Sequence, residues 1–323
     1  IHTHNDAECG VANSLAAIHE GARMVQGTVN GYGERCGNAN LVSIIPSLTF
    51  KMGFHTVARE KLSELTALSH FVAETANLAP DNWAAYVGVN AFAHKGGMHV
   101  AGMLADTRTF EHIDPDAVGN RRHVLVSELS GRGTIVAKAQ EMGIDLSDSD
   151  EVPRILARLK ELEHAGYHFE VADASFELLI EKEIGAYEPL FALESFRVVT
   201  EKRADGNVET EATVKLRHRG ERLVAIGEGN GPVNALDTAL RAALADRVPE
   251  LASIHLTNFK VRILDEGKGT GATTRVLLDS SDGVSTWGAL GVSQNVIEAS
   301  WEALIDSIVF GVRRAAATRA GAA

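Results

Sequence analysis

Cysteine is nearly absent from this chain: Cys9 and Cys36 are the only two in 323 residues, too few for a disulfide framework. Such scarcity fits the reducing cytoplasm, and a small buried hydrophobe is the plainer role for each thiol. Long apolar runs are missing as well. None approaches the roughly 20 residues that a bilayer span requires, so no membrane helix is expected. Positive charge is in deficit, 31 Lys and Arg against 43 Asp and Glu for a net charge of -12; this repels phosphate backbones and argues against nucleic acid as a general partner. An initiating Met and a signal-peptide pattern are also lacking. What remains, 45% hydrophobic and 23% charged residues, is ordinary for a globular enzyme.

The chain opens on His-Thr-His-Asn-Asp at 2 to 6, and Gly-Tyr-Gly-Glu-Arg-Cys-Gly-Asn follows at 31 to 38. If residues 1 to 4 are extended, the side-chain period of two points His2 and His4 to one side and Thr3 to the other. Two imidazoles can then share a cation. The carbonyl oxygen of Asn38 completes a mixed nitrogen and oxygen set suited to a Lewis-acid ion with open positions. The alternative is a hydrogen-bonded histidine pair beside an ordinary loop. Helices are expected at 9 to 21 and 38 to 52, with a strand at 23 to 29. Two β/α units with polar chemistry at the strand ends match the design of a TIM barrel, which needs eight units. The expectation is therefore a C-terminal barrel remnant over residues 1–57, and a chain that is a piece of a longer protein.

Helical spacing over 58 to 78, 151 to 165 and 173 to 184 predicts helical subdomains over 58–186, with Gly166 and Gly185 as stops. Within them, Asn-Ala-Phe-Ala-His-Lys-Gly-Gly-Met-His-Val-Ala-Gly at 90 to 102 reads as a loop entering a helix. There His99 is placed to act as acid or base, or else His94 and His99 are hydrogen-bonded helix residues. Residues 187–323 repeat themselves. Strand-like runs at 196 to 201, 211 to 218 and 221 to 227 precede a helix at 232 to 245; runs at 258 to 264, 273 to 279 and 284 to 290 precede a helix at 294 to 312. Asn-Ala-Leu-Asp at 234 to 237 overlays Asn-Val-Ile-Glu at 295 to 298. The expected class is α/β and α+β: a TIM barrel remnant, helical subdomains and a tandem βββα regulatory domain. The loop at 227 to 232 lacks a phosphate-loop ending yet exposes a helix N-terminus able to hold a carboxylate. An amino-acid effector and plain turn chemistry fit that loop equally well.

HTHND, GYGERCGNANL, NAFAHKGGMHVAG, FEHIDPDAVGN and GNGPVNALD together resemble the α-isopropylmalate, homocitrate and citramalate synthase family over essentially the whole chain. HKGGMHVAG and the stretch from TNFKVRILD to NVIEASWEAL are most similar to its citramalate branch. The resemblance implies a Claisen-type condensation of acetyl-CoA with a 2-oxo acid. For the citramalate branch this is pyruvate, giving (R)-citramalate and CoA in isoleucine biosynthesis. A 2-isopropylmalate synthase of leucine biosynthesis, a metal-dependent hydrolase and a non-catalytic effector-binding fragment are the alternatives.

By the same resemblance, His2, His4 and Asn38 match ligands of a divalent ion, Mg, Mn or Zn. A remaining Asp ligand is expected upstream, so this chain alone is expected to be inactive. His99 matches an acid-base histidine and Glu34 a carboxylate of the same machinery. Phe110 stands where the family commonly has Tyr. The C-terminal repeat matches a homodimeric allosteric unit binding an end-product amino acid, isoleucine here. Its carboxylate is expected at backbone donors near Gly229 and Gly231, and its side chain near Val233 and Ala272.

Overall fold

A computed structural model describes residues 1–126, 130–147 and 149–321, and the chain divides into two compact units, Ile1–Leu125 and Val126–Ala323. The division falls inside the stretch 58–186. Residues 58 to 125 belong with the amino-terminal segment because they pack on it: helix 65–75 binds the loop at Asn30 through Ser69, and Leu65, Val87 and Phe92 share a core with Val42.

In the first unit, α1 (Gly10–His19) and α2 (Leu41–Pro46) form where helices are expected. The second is shorter than its sequence pattern. Pro46 has no N–H for the ladder, and the chain continues as a wide π turn over Ser47–Lys51. Residues 1 to 4 and 23 to 29 do not form strands. They make single bridges only, His2 with Gln26, His4 with Asn38 and Thr28 with Asn40; no two consecutive pairs build a ladder. The segment expected to be one helix from 58 starts as a 3-10 run, Arg59–Glu64, and becomes α3 (Leu65–Thr75). Then β1 (Ala93–His94) leads into α4 (Gly97–Ala105), and β2 (His123–Val124) pairs parallel to β1.

The second unit starts with α5 (Arg132–Glu141), α6 (Val152–His164) and α7 (Asp173–Glu183). Gly166 and Gly185 follow α6 and α7 with φ of 108° and 75°, the left-handed region that ends helices. The first βββα repeat is β3 (Ala192–Lys202), β4 (Val208–His218), β5 (Glu221–Gly229) and α8 (Pro232–Leu244); the second is β6 (His255–Ile263), β7 (Thr274–Ser281), β8 (Thr286–Ser293) and α9 (Val296–Gly321). Each sheet is an antiparallel meander, β3-β4-β5 and β6-β7-β8. Each first strand carries a register shift, at Leu193/Ser195 and at Leu256/Asn258.

A glycine lets each helix lie on its sheet. A Cβ at Gly227 would collide with Ala235 and Ala239, and one at Gly291 with Ala299 and Ala303. These contacts, 64 residues apart, align Gly231 with Asn295 as the two helix caps. The overlay of residues 234 to 237 on 295 to 298 is therefore out of register by three. Asn234 lies inside α8, whereas Asn295 caps α9 by accepting from Ile297 N at 2.9 Å.

The two sheets are covered differently. On one face of the second, Leu277, Leu290 and Val292 pack against Ile155, Phe169 and Phe176. The outer edge of β8 is closed by side chains: Ser175 Oγ accepts from Leu290 N at 3.0 Å, and Glu302 Oε2 from Val292 N at 3.0 Å. On the first sheet, Val199, Val224 and Ile226 remain exposed. Among the described residues, no helix is long and apolar enough to cross a membrane.

Candidate metal and acid-base site

Alternation along the first residues sets the geometry. Thr3 turns its hydroxyl inward to Gly10 O at 2.8 Å and Ser14 Oγ at 2.9 Å, which leaves His2 and His4 together on the other side. Their Nε2 atoms lie 3.4 Å apart, with ring planes at 73°. His4 also bridges to Asn38. The Asn38 amide is pinned by donating Nδ2 to Tyr32 O at 3.1 Å, so its nitrogen is used and its oxygen keeps both lone pairs for a ligand. Two glycines make this loop possible. A Cβ at Gly33 would overlap the Asn38 amide, and one at Gly37, where φ is 97°, would overlap Gly31 O.

The loop is clamped to the amino-terminal segment by Arg35, itself left-handed at φ 56°. Its guanidinium donates to both Asp6 oxygens, at 2.6 and 3.2 Å. That hydrogen bond holds the Asp6 carboxyl below its ordinary range. Neighbouring Glu34 projects into solvent with its side chain 87% exposed. Among the described residues, no group of three or more His, Cys, Asp or Glu is arranged to hold a metal ion; the candidate donors His2, His4 and Asn38 offer two imidazoles and one amide oxygen.

His99 lies on α4 and is exposed. One ring face is covered by Phe110, with centroids 4.4 Å apart and planes at 28°; Gly102 leaves room for that phenyl ring. No hydrogen bond, ion pair or ring contact links His99 to His2, His4 or Glu34 among the described residues. His94 differs, as it is buried and bonded through Nε2 to Glu111 at 3.1 Å. Burial pushes the Glu111 carboxyl up, but hydrogen bonds from Arg122 and His94 outweigh it and the net shift is downward. Glu111 and Arg122 were not anticipated from the sequence; the stretch between them carries the exposed polar residues His112, Asp114, Asp116 and Arg121, and nothing in it marks the pair.

In the second unit, Gly231 and Val233 line a cleft of about 500 Å³ together with Asn234, Leu256, Phe259 and Leu278. It lies between the N-terminus of α8 and the first strand of the second repeat. Gly229 and Ala272 do not line it. A Cβ at Gly229 would strike Ala235 N and the Asn234 side chain, which makes it a packing glycine, and Ala272 is buried before β7. A further polar cluster escaped sequence reasoning. Tyr167 donates to Glu302 at 2.5 Å, and Lys182 approaches Asp306 at 3.6 Å. Burial raises both carboxyls above their usual range. The available signal was three acids at four-residue spacing, Glu298, Glu302 and Asp306, on the mostly apolar first half of α9.

Residues 1–72 match the HMGL-like family, 86–166 the homocitrate synthase post-HMGL domain-like family and 170–310 the LeuA allosteric (dimerisation) domain family. The (R)-citramalate synthase of Geobacter sulfurreducens is 50% identical over 316 residues, 97% of this chain and 60% of that protein. That of Streptomyces coelicolor is 50% identical over 98% of this chain and 59% of its own length, and that of Aquifex aeolicus 50% over 96% and 59%. The chain thus spans about three fifths of the length of the curated relatives it matches. Across nearly its whole length the chain is similar to these (R)-citramalate synthases, and its three family matches run in order from residue 1 to residue 310.

Proposed function

We propose that this chain is part of a cytoplasmic (R)-citramalate synthase, which condenses acetyl-CoA with pyruvate. The observation that carries the reading is 50% identity across 97% of the chain to an enzyme of that name. The local chemistry is compatible. The Nε2 atoms of His2 and His4, 3.4 Å apart, are close enough for both imidazoles to share one cation. His4 Nδ1 is buried without a hydrogen-bond partner among the described residues, so that ring gains its hold from Nε2. The donor set fits a divalent ion of the Mg, Mn or Zn class held by His2, His4 and the Asn38 oxygen, with residues outside this chain completing the barrel and the shell.

When bound, such an ion supplies Lewis-acid polarisation of the 2-oxo acid ketone. His2, His4 and the Asn38 oxygen would hold that ion, and the Asn38 amide also fixes the loop by donating to Tyr32 O. His99, its ring plane set by Phe110, presents its nitrogens for proton movement at the acetyl group. Phe110 offers no hydroxyl, so proton traffic runs through the imidazole without that donor. Glu34 is the carboxylate within the metal-site loop and is assigned a supporting role in the same chemistry.

The cleft at Gly231 and Val233 supports a second element of the reading, an amino-acid effector. First-turn N–H groups of a helix suit a carboxylate, and Leu256, Phe259 and Leu278 suit an aliphatic side chain. Isoleucine is the end product that fits, and a homodimer formed through this domain is the state it acts on.

The deciding measurement is CoA release by the full-length protein encoded by the natural gene. Release from acetyl-CoA that requires pyruvate is the expected result. Preference for a larger branched 2-oxo acid would move the assignment to 2-isopropylmalate synthase, and no release with either would leave the effector-binding role alone.

A further inference from the structure

We infer that Glu111 is a positioning residue, which locks the turn that presents Phe110 to His99. The inference rests on the reading of His99 as an acid-base group.

The carboxylate of Glu111 is almost fully enclosed, with its side chain 4% exposed. Three charge-assisted bonds meet it: His94 Nε2 at 3.1 Å and Arg122 Nε at 2.5 Å on Oε1, and Arg122 Nη2 at 2.6 Å on Oε2. A buried carboxylate is costly unless paired this completely, so the three groups stand or fall together. They come from three separate segments. His94 ends β1, Arg122 immediately precedes β2, and Glu111 follows the 3-10 turn at Thr107–Thr109. The two strands are already joined at Ala93 with His123, His94 with Val124, and Leu125 N with His94 O. Glu111 therefore ties the turn to the ends of both.

The turn itself is short and regular. Phe110 N and Glu111 N both donate to Thr107 O, and Thr109 Oγ1 donates to Gly102 O at 2.9 Å. Once Glu111 is fixed, the preceding residue has little freedom, and its ring fills the space left by Gly102 against His99. A phenyl ring makes no hydrogen bond to imidazole. It sets the plane of His99 and leaves both ring nitrogens for other partners.

The test uses the chain labelled with 13C-histidine, with the His99 signals assigned from His99→Gln. In the wild type, Phe110 shifts the His99 ring protons by its ring current, and Phe110→Ala marks their position without it. Glu111→Gln, isosteric but uncharged, is expected to move the His99 signals to the Phe110→Ala position while the circular dichroism stays unchanged. Arg122→Lys keeps the charge but loses the fork, and is expected to move them part of the way. Should Glu111→Gln fail to fold, Arg122→Lys carries the decision. His99 signals at the wild-type position in a folded variant would overturn the inference. In the full-length enzyme, Glu111→Gln should lower kcat by about 10²-fold, the scale of an ångström-sized misplacement, with KM for the 2-oxo acid unchanged and the pH-rate profile displaced. Full turnover by His99→Gln would instead remove the acid-base reading, leaving the spectroscopic result on Glu111 intact.

Discussion

Asn30 and Ser69 exchange two hydrogen bonds: Asn30 Nδ2 donates to Ser69 O at 2.8 Å, and Ser69 Oγ donates to Asn30 Oδ1 at 2.6 Å. Asn30 holds a left-handed backbone at φ 61°. The pair therefore fixes both the conformation of the glycine-rich loop and the seat of α3.

Ser69→Ala removes the donor and leaves a half-buried amide oxygen unsatisfied, a loss of about 1–3 kcal/mol. The urea midpoint of the Ile1–Leu125 unit should fall with no change in slope. An unchanged midpoint would show that the loop is held by other contacts.

Metal binding is the next expectation. In the full-length protein, His2→Ala or His4→Ala should weaken Mn²⁺ binding at least as much as loss of an outer-sphere partner, about 10–100-fold, and turnover should be lost with it. Calorimetry with Mn²⁺ at fixed pH gives the affinity. Wild-type affinity in both variants would exclude the pair as ligands.

Isoleucine should bind saturably at the cleft beside α8. Gly231 is the position at which to block it: its φ of -178° suits any residue, and a Cβ there meets nothing within 4 Å. Gly231→Trp should therefore fill the cleft without disturbing the fold, removing both isoleucine binding and inhibition of the full-length enzyme. Inhibition in turn requires that isoleucine favour a less active state. Undiminished inhibition in a folded Gly231→Trp protein would place the effector elsewhere.

The pair Glu302 and Asp306 makes a prediction about pH. Burial raises both carboxyls, so between the ordinary carboxylate range and the raised values the unfolded chain binds fewer protons than the folded one. Their contribution to stability is complete below the ordinary range and is lost as pH rises through the raised values. Glu194 and Glu221, held low by Arg222 and Arg247, give the opposite slope, so the comparison must be made between variants. Melting of the wild type and Glu302→Gln between about pH 4 and 7 should show a shallower decline for the variant. Parallel curves would mean that Glu302 titrates normally.

Much of this arrangement is legible in the sequence because local rules carry it. Periods of two and of 3.6 mark the strands and helices of the repeats, and glycines mark the ends of α6 and α7. The opposite orientation of Thr3 and the two histidines follows from one dihedral rule. Other features depend on distant partners. α5 has three β-branched residues, Thr134, Ile135 and Val136, after Gly133, and is stabilised by burying Ile135 and Ala139, which no local pattern announces. The three-residue slip between the repeats arose because Asn234 and Asn295 look alike in sequence, while the glycine under each helix sets the true register. Glu111 was missed for a related reason: its partners lie 17 residues before and 11 after it.

The closed edge of β8 has a kinetic consequence. A strand edge satisfied by another strand is opened only by breaking a ladder, whereas this one is guarded by one hydroxyl and one carboxylate, on Ser175 and Glu302. A brief lift of α7, with Glu302 turned away, would bare two adjacent donors while every strand pairing stays intact. Strand addition by another molecule needs no more than that. Self-association during handling should then follow the rate of this local opening rather than global unfolding, and Ser175→Ala should speed it at temperatures where the circular dichroism is still native.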